Sequence, residues 1–417
     1  MIDINALLRD LIHRRGSDLH LKIGRPPLMR LAGEIVPTDG AVLTEADMDA
    51  AIRTLLGPAE YTKIQESGEK DAAYAIPEVA RFRVNVFRRM GQFGVIARAI
   101  PIKVPTLDSL NLPPAIKDLL NAPQGLILVT GPTGSGKSTT LACMIEQLNQ
   151  TQPLHVITLE DPIEFVYTDA QCEVTQRQLG TDVSTLHEGL RRILRQDPDV
   201  ILIGELRDRE TIETAMHAAE TGHLVLSTLH TNDAKQTIDR IIDTFPADGR
   251  DHIRSMLSLT LHAIISQRLL RRSSGGGRVA AMEILINTPN VRELIAAGKI
   301  RELENAMKTG DYYRMQTFNQ ALAKLVVEGS ITEEEAMATS QNSNELKMIL
   351  RGITSGGSSA RVTPTPSPSG AIPTDSTKKV TSVPTPSKPT AAVPAPKPEP
   401  AAPPAEKPPG LRITRGF

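Results

Sequence analysis

The chain has 417 residues, which is enough for two or three domains that each bury their own core. Its 40% hydrophobic and 23% charged residues are ordinary for a globular protein, and a formal net charge of -1 argues against nucleic acid or an anionic membrane surface as a partner. Cys143 and Cys172 form no Cys-x-x-Cys pair, which argues against a cysteine zinc site. With no signal region and no apolar run of about 20 residues, we expect a cytoplasmic protein without direct membrane insertion.

The N-terminal residues begin with a helical pattern and continue with a strand pattern. Apolar residues recur at helical spacing over residues 4–12, and residues 18–23 alternate as a half-buried strand does. Thr44 and Asp47 have the spacing of a capping box, which predicts the start of a helix there.

A hairpin is predicted later in the same region. Residues 81–86 alternate, and after Gly91 a matching run follows over residues 93–100. These patterns predict a small α+β domain over residues 1–100. The prolines that follow are incompatible with a helix interior, so we place a linker at residues 101–114.

From residue 125 the pattern changes to buried strands that alternate with helices. The predicted strands are 125–130, 155–159, 200–203 and 224–227, and the predicted helices are 137–149, 183–195 and 210–221. This alternation predicts an α/β domain over residues 115–353, with a parallel sheet covered by helices on both faces. Beyond about residue 250 we expect mostly helix.

The last residues, 354–417, have a different composition. They hold 15 of the chain's 31 prolines and carry eight Lys or Arg against three Asp or Glu. Such a segment cannot bury enough apolar surface to offset its ordering entropy. We therefore predict a disordered Pro-rich tail and interpret it as solvated and dispensable rather than as a docking arm.

A phosphate-binding loop follows the strand over residues 125–130. The sequence from Gly131 to Ser138 matches G-x-x-x-x-G-K-[ST] in full, with a helix-compatible run after it. In such a loop Lys137 reaches the β- and γ-phosphates and the Ser138 hydroxyl ligates magnesium. The sequence therefore predicts ATP or GTP with Mg²⁺, bound by Gly131, Pro132, Thr133, Gly134, Ser135, Gly136, Lys137, Ser138 and Thr139.

Acidic residues follow two other predicted strands. Glu205 lies just beyond the strand at 200–203, where a carboxylate would be close to the phosphate loop and act on the metal. Glu160, Asp161 and Glu164 follow the strand at 155–159. Three carboxylates this close together are costly unless a cation or a proton transfer uses them.

Histidines stand at both ends of the strand at 224–227. His223 precedes the strand and His230 follows it. A single histidine at a strand end is more often structural than catalytic, but two around one strand of this sheet leave both interpretations open.

Taken together, these four motifs resemble those of the secretion and pilus ATPases of the type II and type IV systems. GPTGSGKS is similar to their Walker A motif, TLEDPIEF to their Asp box, DPDVILIGELRD to their Walker B motif and TGHLVLSTLHTN to their His box. The resemblance extends over residues 1–352. It implies that Glu164 is the general base or an acid that orients the attacking water. It also implies that Glu205 acts on magnesium through water and that His230 and His223 sense the γ-phosphate.

The same resemblance implies the architecture and assembly. The N-terminal domain would be PAS-like and the second domain a RecA-like P-loop ATPase with a helical C-terminal region. The chains would form a homo-hexamer with ATP bound between domains and subunits. Arginines of the first domain would then reach the phosphate, and here Arg81, Arg83 and Arg98 lie on or beside the paired strands. We select Arg83 and Arg98 as the donors.

Within this family the retraction ATPases of type IV pili are the best match. The assembly ATPases carry an extra N-terminal domain and a four-cysteine zinc site. From the resemblance we expect this chain to begin directly at the PAS-like region, and its two cysteines cannot form such a site. Residues 290–299 resemble the "AIRNLIRE" stretch of the retraction ATPases, although the first and last positions differ.

The resemblance thus implies a hexameric motor for pilus retraction and twitching motility. It would act at the cytoplasmic face of the inner membrane through a membrane platform protein. The alternatives are an accessory retraction paralogue, a type II secretion ATPase, or a nucleotide-gated adapter that hydrolyses little ATP. The presence of Glu164, Glu205 and His230 argues against the adapter, and the acidic folded part argues against a nucleic-acid translocase.

Overall fold

The computed structural model describes residues 2–31, 33–77, 79–100 and 104–352. The predicted tail and the first three residues of the predicted linker lie outside the described residues. The strands are β1 (Asp18–Lys22), β2 (Leu28–Leu31), β3 (Glu34–Pro37), β4 (Glu69–Ile76), β5 (Ala80–Arg89), β6 (Gln92–Ile100), β7 (Gly125–Thr130), β8 (His155–Glu160), β9 (Glu173–Gln178), β10 (Val200–Ile203), β11 (Leu224–Leu229), β12 (Leu261–Arg271) and β13 (Arg278–Ile286).

Helices precede and follow these strands. They are α1 (Ile4–His13), α2 (Glu45–Ser67), α3 (Ala115–Leu119), α4 (Lys137–Thr151), α5 (Leu186–Ile193), α6 (Arg209–Glu220), α7 (Ala234–Asp243), α8 (Arg250–Thr260), α9 (Pro289–Ala296), α10 (Leu303–Lys308), α11 (Phe318–Val327), α12 (Glu333–Thr339) and α13 (Ser343–Leu350). Short 3₁₀ helices are Ala247–Gly249, Ile300–Glu302 and Asp311–Tyr313. None of the helices in the described ranges is long and apolar enough to cross a membrane.

The N-terminal strands form an antiparallel sheet in the order β3-β2-β1-β6-β5-β4. On β5 the side chains of Phe82, Val84 and Val86 are buried in one cluster with α1 and α2. Arg81, Arg83 and Asn85, which alternate with them, therefore lie on the opposite face, because side chains alternate along a strand. The predicted hairpin of β5 and β6 is confirmed, and Met90 and Gly91 make its turn with positive φ angles of 48° and 82°.

The capping box of α2 is also confirmed. Thr44 accepts a hydrogen bond from the backbone N–H of Asp47, and the Asp47 side chain accepts one from the backbone of Thr44. The helix runs to Ser67, with a break at Gly57, whose φ of 75° is not helical. The kink lies directly before Pro58, which cannot donate a backbone hydrogen bond.

The second sheet has the order β13-β12-β7-β11-β10-β8-β9. The strands from β12 to β9 are parallel, and β13 is an antiparallel edge. Strands β7, β10 and β11 are buried at every position because helices α5 to α10 pack on one face and α3 and α4 on the other. Leu107 and Leu112 of the predicted linker are buried in the same cluster as α3 and α4.

The prediction of mostly helix beyond residue 250 is wrong for residues 261–286. This stretch forms β12 and β13, joined by a turn in which Gly275 to Gly277 all have positive φ. Ile264 and Ile265 are both fully buried, which is possible for adjacent residues in a strand whose two faces are covered. The predicted four strands and three helices between residues 125 and 230 are confirmed, and β9, a mostly polar edge strand, is an addition.

Candidate nucleotide site

The loop after β7 has the backbone that its glycines allow. Gly131 and Gly136 have φ angles of 145° and 90°, which residues with a side chain rarely adopt. A Cβ at Gly131 would stand 2.3 Å from the carbonyl oxygen of Gln267, and one at Gly136 would stand 2.8 Å from the Gln267 Nε2 atom. The loop therefore packs too closely on β12 for a residue with a side chain at these two positions. Helix α4 starts directly after the loop, at Lys137.

Gln267 itself supports the loop, although the sequence gave no indication of this. Its Nε2 donates to the carbonyl oxygen of Ser135 at 2.7 Å, and its Oε1 accepts from the Thr140 hydroxyl at 2.7 Å. One buried amide thus ties the loop to the first turn of α4. Gln267 and Ser135 are 132 residues apart in sequence, so no local pattern could have indicated the contact.

The Lys137 ammonium group leads into a chain of polar contacts. Its Nζ donates to the carbonyl oxygens of Gly131 at 2.9 Å and Pro132 at 3.2 Å and lies 3.3 Å from His230 Nδ1. His230 Nε2 lies 3.4 Å from Glu205 Oε1. Because an ammonium group only donates, Nδ1 must accept and Nε2 carries the proton that faces Glu205. The structure therefore joins three of the predicted site residues.

Glu164 is close enough to Lys137 for its charge to act on the lysine, so it belongs to the same site. Burial lowers the pKa of Lys137, and the negative charges of Glu205 and Glu164 act against that lowering. Both carboxylates therefore act on the lysine that is expected to face the phosphates.

Glu205 is also held by Arg207, a residue that our sequence reasoning missed. Arg207 Nε donates to Glu205 Oε2 at 2.8 Å, and Arg207 Nη1 lies 3.9 Å from Asp161 Oδ2. The arginine therefore connects the acid after β10 with the loop after β8. The sequence could have indicated Arg207, because it stands only two residues after Glu205.

Glu160 and Glu164 differ in their surroundings. Glu160 is buried and accepts hydrogen bonds from the Thr158 hydroxyl at 2.7 Å and from Gln176 Nε2 at 3.1 Å. Burial outweighs these bonds and raises the pKa of Glu160, which favours its protonated form. Glu164 is exposed, and its backbone N–H donates to Glu160 Oε2 at 3.4 Å. Of the two, Glu164 is therefore the carboxylate that is open to solvent.

The structure does not bring His223 to this site within one chain. His223 stands before β11, and its Nδ1 donates to the carbonyl oxygen of Ala218 at 2.8 Å. His230 follows the same strand, and six residues of β-strand span about 20 Å. The two histidines therefore lie at opposite ends of β11, and His223 has a local partner instead.

The arginines of the N-terminal sheet have local partners in the chain. Arg83 Nε lies 3.9 Å from Asp71, and Arg98 Nε donates to Asp18 at 2.7 Å. Arg81 contacts the second sheet, because its Nη2 donates to Gln178 Oε1 at 3.5 Å.

The contact of Arg81 extends to the loop of Glu164. Gln178 Oε1 also accepts from the backbone N–H of Ile163, the residue before Glu164, at 3.4 Å. Gln178 therefore links Arg81 of the first sheet to the loop that carries Glu164 in the same chain.

These features define a P-loop nucleotide-binding protein, in which the strand that precedes His230 lies between the P-loop strand and the strand that precedes Glu205. The chain belongs to the family described as type II/IV secretion system protein, whose model matches residues 109–338. A relative in Pseudomonas aeruginosa, named type IV pilus retractation ATPase PilT, is 45% identical and covers 80% of this chain and 97% of its own. The type IV pilus ATPase PilU of the same organism is 39% identical, covering 84% of this chain and 92% of its own.

A solved structure gives the same result for the fold. A crystal structure described as the pilus retraction motor PilT with bound ADP superposes with a TM-score of 0.78 at 42% identity. It covers 83% of this chain, which in turn covers 99% of that one. The resemblance to the pilus retraction ATPases that the motifs predicted is therefore confirmed.

Proposed function

We propose that this chain is an ATP-hydrolysing motor that powers the retraction of type IV pili. The observation that carries the proposal is the series of contacts from Lys137 through His230 to Glu205. It stands in a protein that is 45% identical to a retraction ATPase over 97% of that relative's length. In this proposal the second sheet is the core of a RecA-like ATPase domain, and the N-terminal sheet belongs to a PAS-like domain.

The residues of the loop fit a nucleotide. Ser135 Oγ is buried and has no hydrogen-bond partner among the described residues, and the loop precedes the positive end of α4. Among the described residues, Lys137 Nζ is held by two loop carbonyl oxygens and one imidazole, and phosphate oxygens would be stronger partners for it.

The residues also fit Mg²⁺ that is bound together with the nucleotide. Over the described ranges, no group of three or more His, Cys, Asp or Glu could hold a metal ion. Mg²⁺ commonly takes only one or two protein ligands and completes its shell with phosphates and water. The Ser138 hydroxyl, and Glu205 through water, are the proposed ligands. The ion would offset negative charge on the phosphates.

The residues of the site then have defined tasks in hydrolysis. Glu164 takes a proton from the attacking water, and Lys137 offsets the charge of the transferred group. His230 lies between Lys137 and Glu205. A γ-phosphate that binds Lys137 would draw the ammonium group away from Nδ1, and the His230 ring would then lose this contact. In this way His230 would sense the γ-phosphate. Arg207 keeps Glu205 in place. His223 has no task in the site of its own chain.

We further propose that the working unit is a homo-hexamer at the cytoplasmic face of the inner membrane. This hexamer would bind a platform protein of the pilus machine. Arg83 and Arg98 would supply positive charge to the transferred phosphoryl group. They would act on a nucleotide held partly by a neighbouring copy. Because Arg81 meets Gln178 in its own chain, a donor within one chain is the second arrangement to test.

The test combines a deletion with site variants in the source bacterium. Loss of the gene should give excess pili without twitching, and a Lys137→Ala copy should not restore motility. Purified Lys137→Ala protein should lack ATP turnover because it has lost the cation at the γ-phosphate. Wild-type turnover in this variant would disprove the P-loop assignment.

An accessory paralogue is the second candidate, because the chain is also 39% identical to PilU. In that case the deletion should leave twitching largely intact in the presence of another retraction ATPase. Normal motility after deletion, together with intact ATP turnover of the purified protein, would therefore favour the accessory role.

A further inference from the structure

Three arginines and one aspartate form a row across the N-terminal sheet. Strand pairing sets Arg83 on β5 opposite Arg98 on β6, Arg98 opposite Asp18 on β1, and Asp18 opposite Arg30 on β2. We call these four residues the arginine row. Side chains of directly paired residues share a face, and Phe82 and Val84 on either side of Arg83 are buried against the helices. The row therefore lies on the face away from α1 and α2.

The Asp18 carboxylate is the buried centre of this row. The residue is only 4% exposed. Its Oδ1 accepts from Arg98 Nε at 2.7 Å, its Oδ2 accepts from the Ser17 hydroxyl at 2.7 Å, and Arg30 Nε lies 3.6 Å from Oδ2. Burial would raise the pKa of Asp18, but the hydrogen bonds from Ser17 and Arg98 lower it overall, so the group is ionised at neutral pH.

Arg98 has a different environment on its two edges. Its side chain is 68% exposed although Nε is bound by a buried carboxylate. Within the part of the chain that the structure describes, Nε makes the only hydrogen bond of this guanidinium, so both Nη groups are available to a further partner. Arg83 is less constrained, because its Nε is 3.9 Å from an exposed Asp71.

Stability alone does not account well for this arrangement. Removing a carboxylate from water is costly, and an ion pair with one largely exposed partner contributes little to the free energy of folding. What the pairing does provide is a fixed orientation. A guanidinium held by its inner edge presents two outer N–H groups in one plane, the geometry that fits phosphate oxygens.

We propose that Asp18 is a positioning residue, which fixes Arg98 so that the outer edge of its guanidinium meets the phosphate oxygens of the bound nucleotide. This inference rests on the proposed ATPase function and holds whether the nucleotide belongs to the same or a neighbouring copy. Pre-orientation removes the entropic cost of ordering the arginine as charge develops on the transferred group. Of Arg83 and Arg98, the two arginines selected from the sequence, Arg98 is therefore the one better placed to supply positive charge to the transferred phosphoryl group.

The first experiment measures ATP turnover of Asp18→Ala and Asp18→Asn. The Ala variant releases Arg98, so kcat should fall about tenfold while KM for ATP changes much less. The Asn variant keeps an oxygen acceptor for Arg98 Nε and should restore most of kcat. Asp10→Ala is the matched control, because it removes another Asp partner from an arginine Nε, that of Arg14 at 2.9 Å on α1. Its kcat should equal that of wild type.

The second experiment is a double-mutant cycle with Arg98→Ala. If Asp18 acts through Arg98, Asp18→Ala should change kcat by less than about twofold in a chain that already lacks Arg98. Arg98→Lys gives an independent check when Asp18→Ala folds poorly, since an ammonium group cannot bind Asp18 with one edge and phosphate with the other. Its kcat should therefore fall as in Asp18→Ala.

The outcomes separate this inference from the proposed function. Losses from Asp18→Ala and Arg98→Ala that add fully, or wild-type kcat in both Asp18→Ala and Arg98→Lys, would overturn the positioning role. Inactive Lys137→Ala protein in the same assay would show that the ATPase assignment still stands. Wild-type turnover in Lys137→Ala would instead remove the proposed function itself.

Discussion

The two sheets of this protein carry their charged residues in different places. The N-terminal sheet is antiparallel and covered by helices on one face, so its charges lie across neighbouring strands on the other face, as in the arginine row. The second sheet is covered on both faces, so its charged groups lie beyond the strand ends, as at Lys137 and Glu205, with the His230 imidazole between them. The covering of a sheet thus decides where it can place chemistry. We expect the second sheet to provide the chemical step and the first to assist it.

The sharpest test of this division is Glu164→Gln. The change keeps the shape of the side chain but removes its basicity, so ATP should still bind while kcat falls by about 10²–10⁴-fold. Glu160→Gln is the matched control, because Glu160 is already held toward its protonated form. Its kcat should stay within a few-fold of wild type. If Glu160→Gln abolishes turnover and Glu164→Gln does not, the base is Glu160.

The second test addresses the first sheet. Arg98→Ala and Arg83→Ala should lower kcat by about 10²-fold or less and affect ATP affinity less, because the missing charge matters most in the transition state. Two such variants with unaltered kinetics would show that the N-terminal sheet takes no part in hydrolysis.

Assembly can be tested with the same variants. Specific activity should rise with protein concentration if each site needs a neighbouring copy. Mixing Arg98→Ala chains with Lys137→Ala chains should restore some turnover when the arginine acts between copies, and none when it acts within one. A fully active isolated monomer would exclude action between copies.

A smaller effect is expected inside the second domain, at Glu283 on β13. Burial raises the pKa of Glu283 from its ordinary 4.5 to about 7, although its Oε1 accepts from the backbone N–H of Ala234 at 2.8 Å. The folded state therefore holds a proton that the unfolded state releases above pH 4.5. The stabilising contribution is complete below that pH and is lost as pH rises through about 7.

Glu283→Gln keeps the acceptor for Ala234 and removes the titration. The free energy of unfolding of Glu283→Gln minus that of wild type should be about 2–3 kcal/mol larger at pH 8 than at pH 4.5. Thermal unfolding at the two pH values measures this, with Glu293→Gln on the exposed face of α9 as control. Equal pH dependence in wild type and Glu283→Gln would contradict the assignment.

The smallest effect should come from removing residues 354–417. Their composition predicts no contribution to a core, so the turnover rate should stay within about twofold of wild type and the midpoint of thermal unfolding should not change. A large loss in either would show that this segment acts in the folded protein.

Much of the second sheet and its site could be predicted from the sequence alone. The P-loop from Gly131 to Ser138, the buried strands around it and the acid at position 205 are local patterns. Backbone geometry and chemistry require particular residues at short fixed spacing there, so the pattern is visible without a fold. The capping box at Thr44 and the hairpin at Gly91 were predictable for the same reason.

Tertiary structure decided what depends on residues far apart in the chain. It placed Gln267 against the P-loop, brought Lys137 and His230 into contact, and left His223 at the opposite end of β11 from the site. It also aligned Asp18 with Arg98, which are 80 residues apart. Strand order and register fix such neighbours, and both depend on the packing of the whole sheet rather than on any local run of residues.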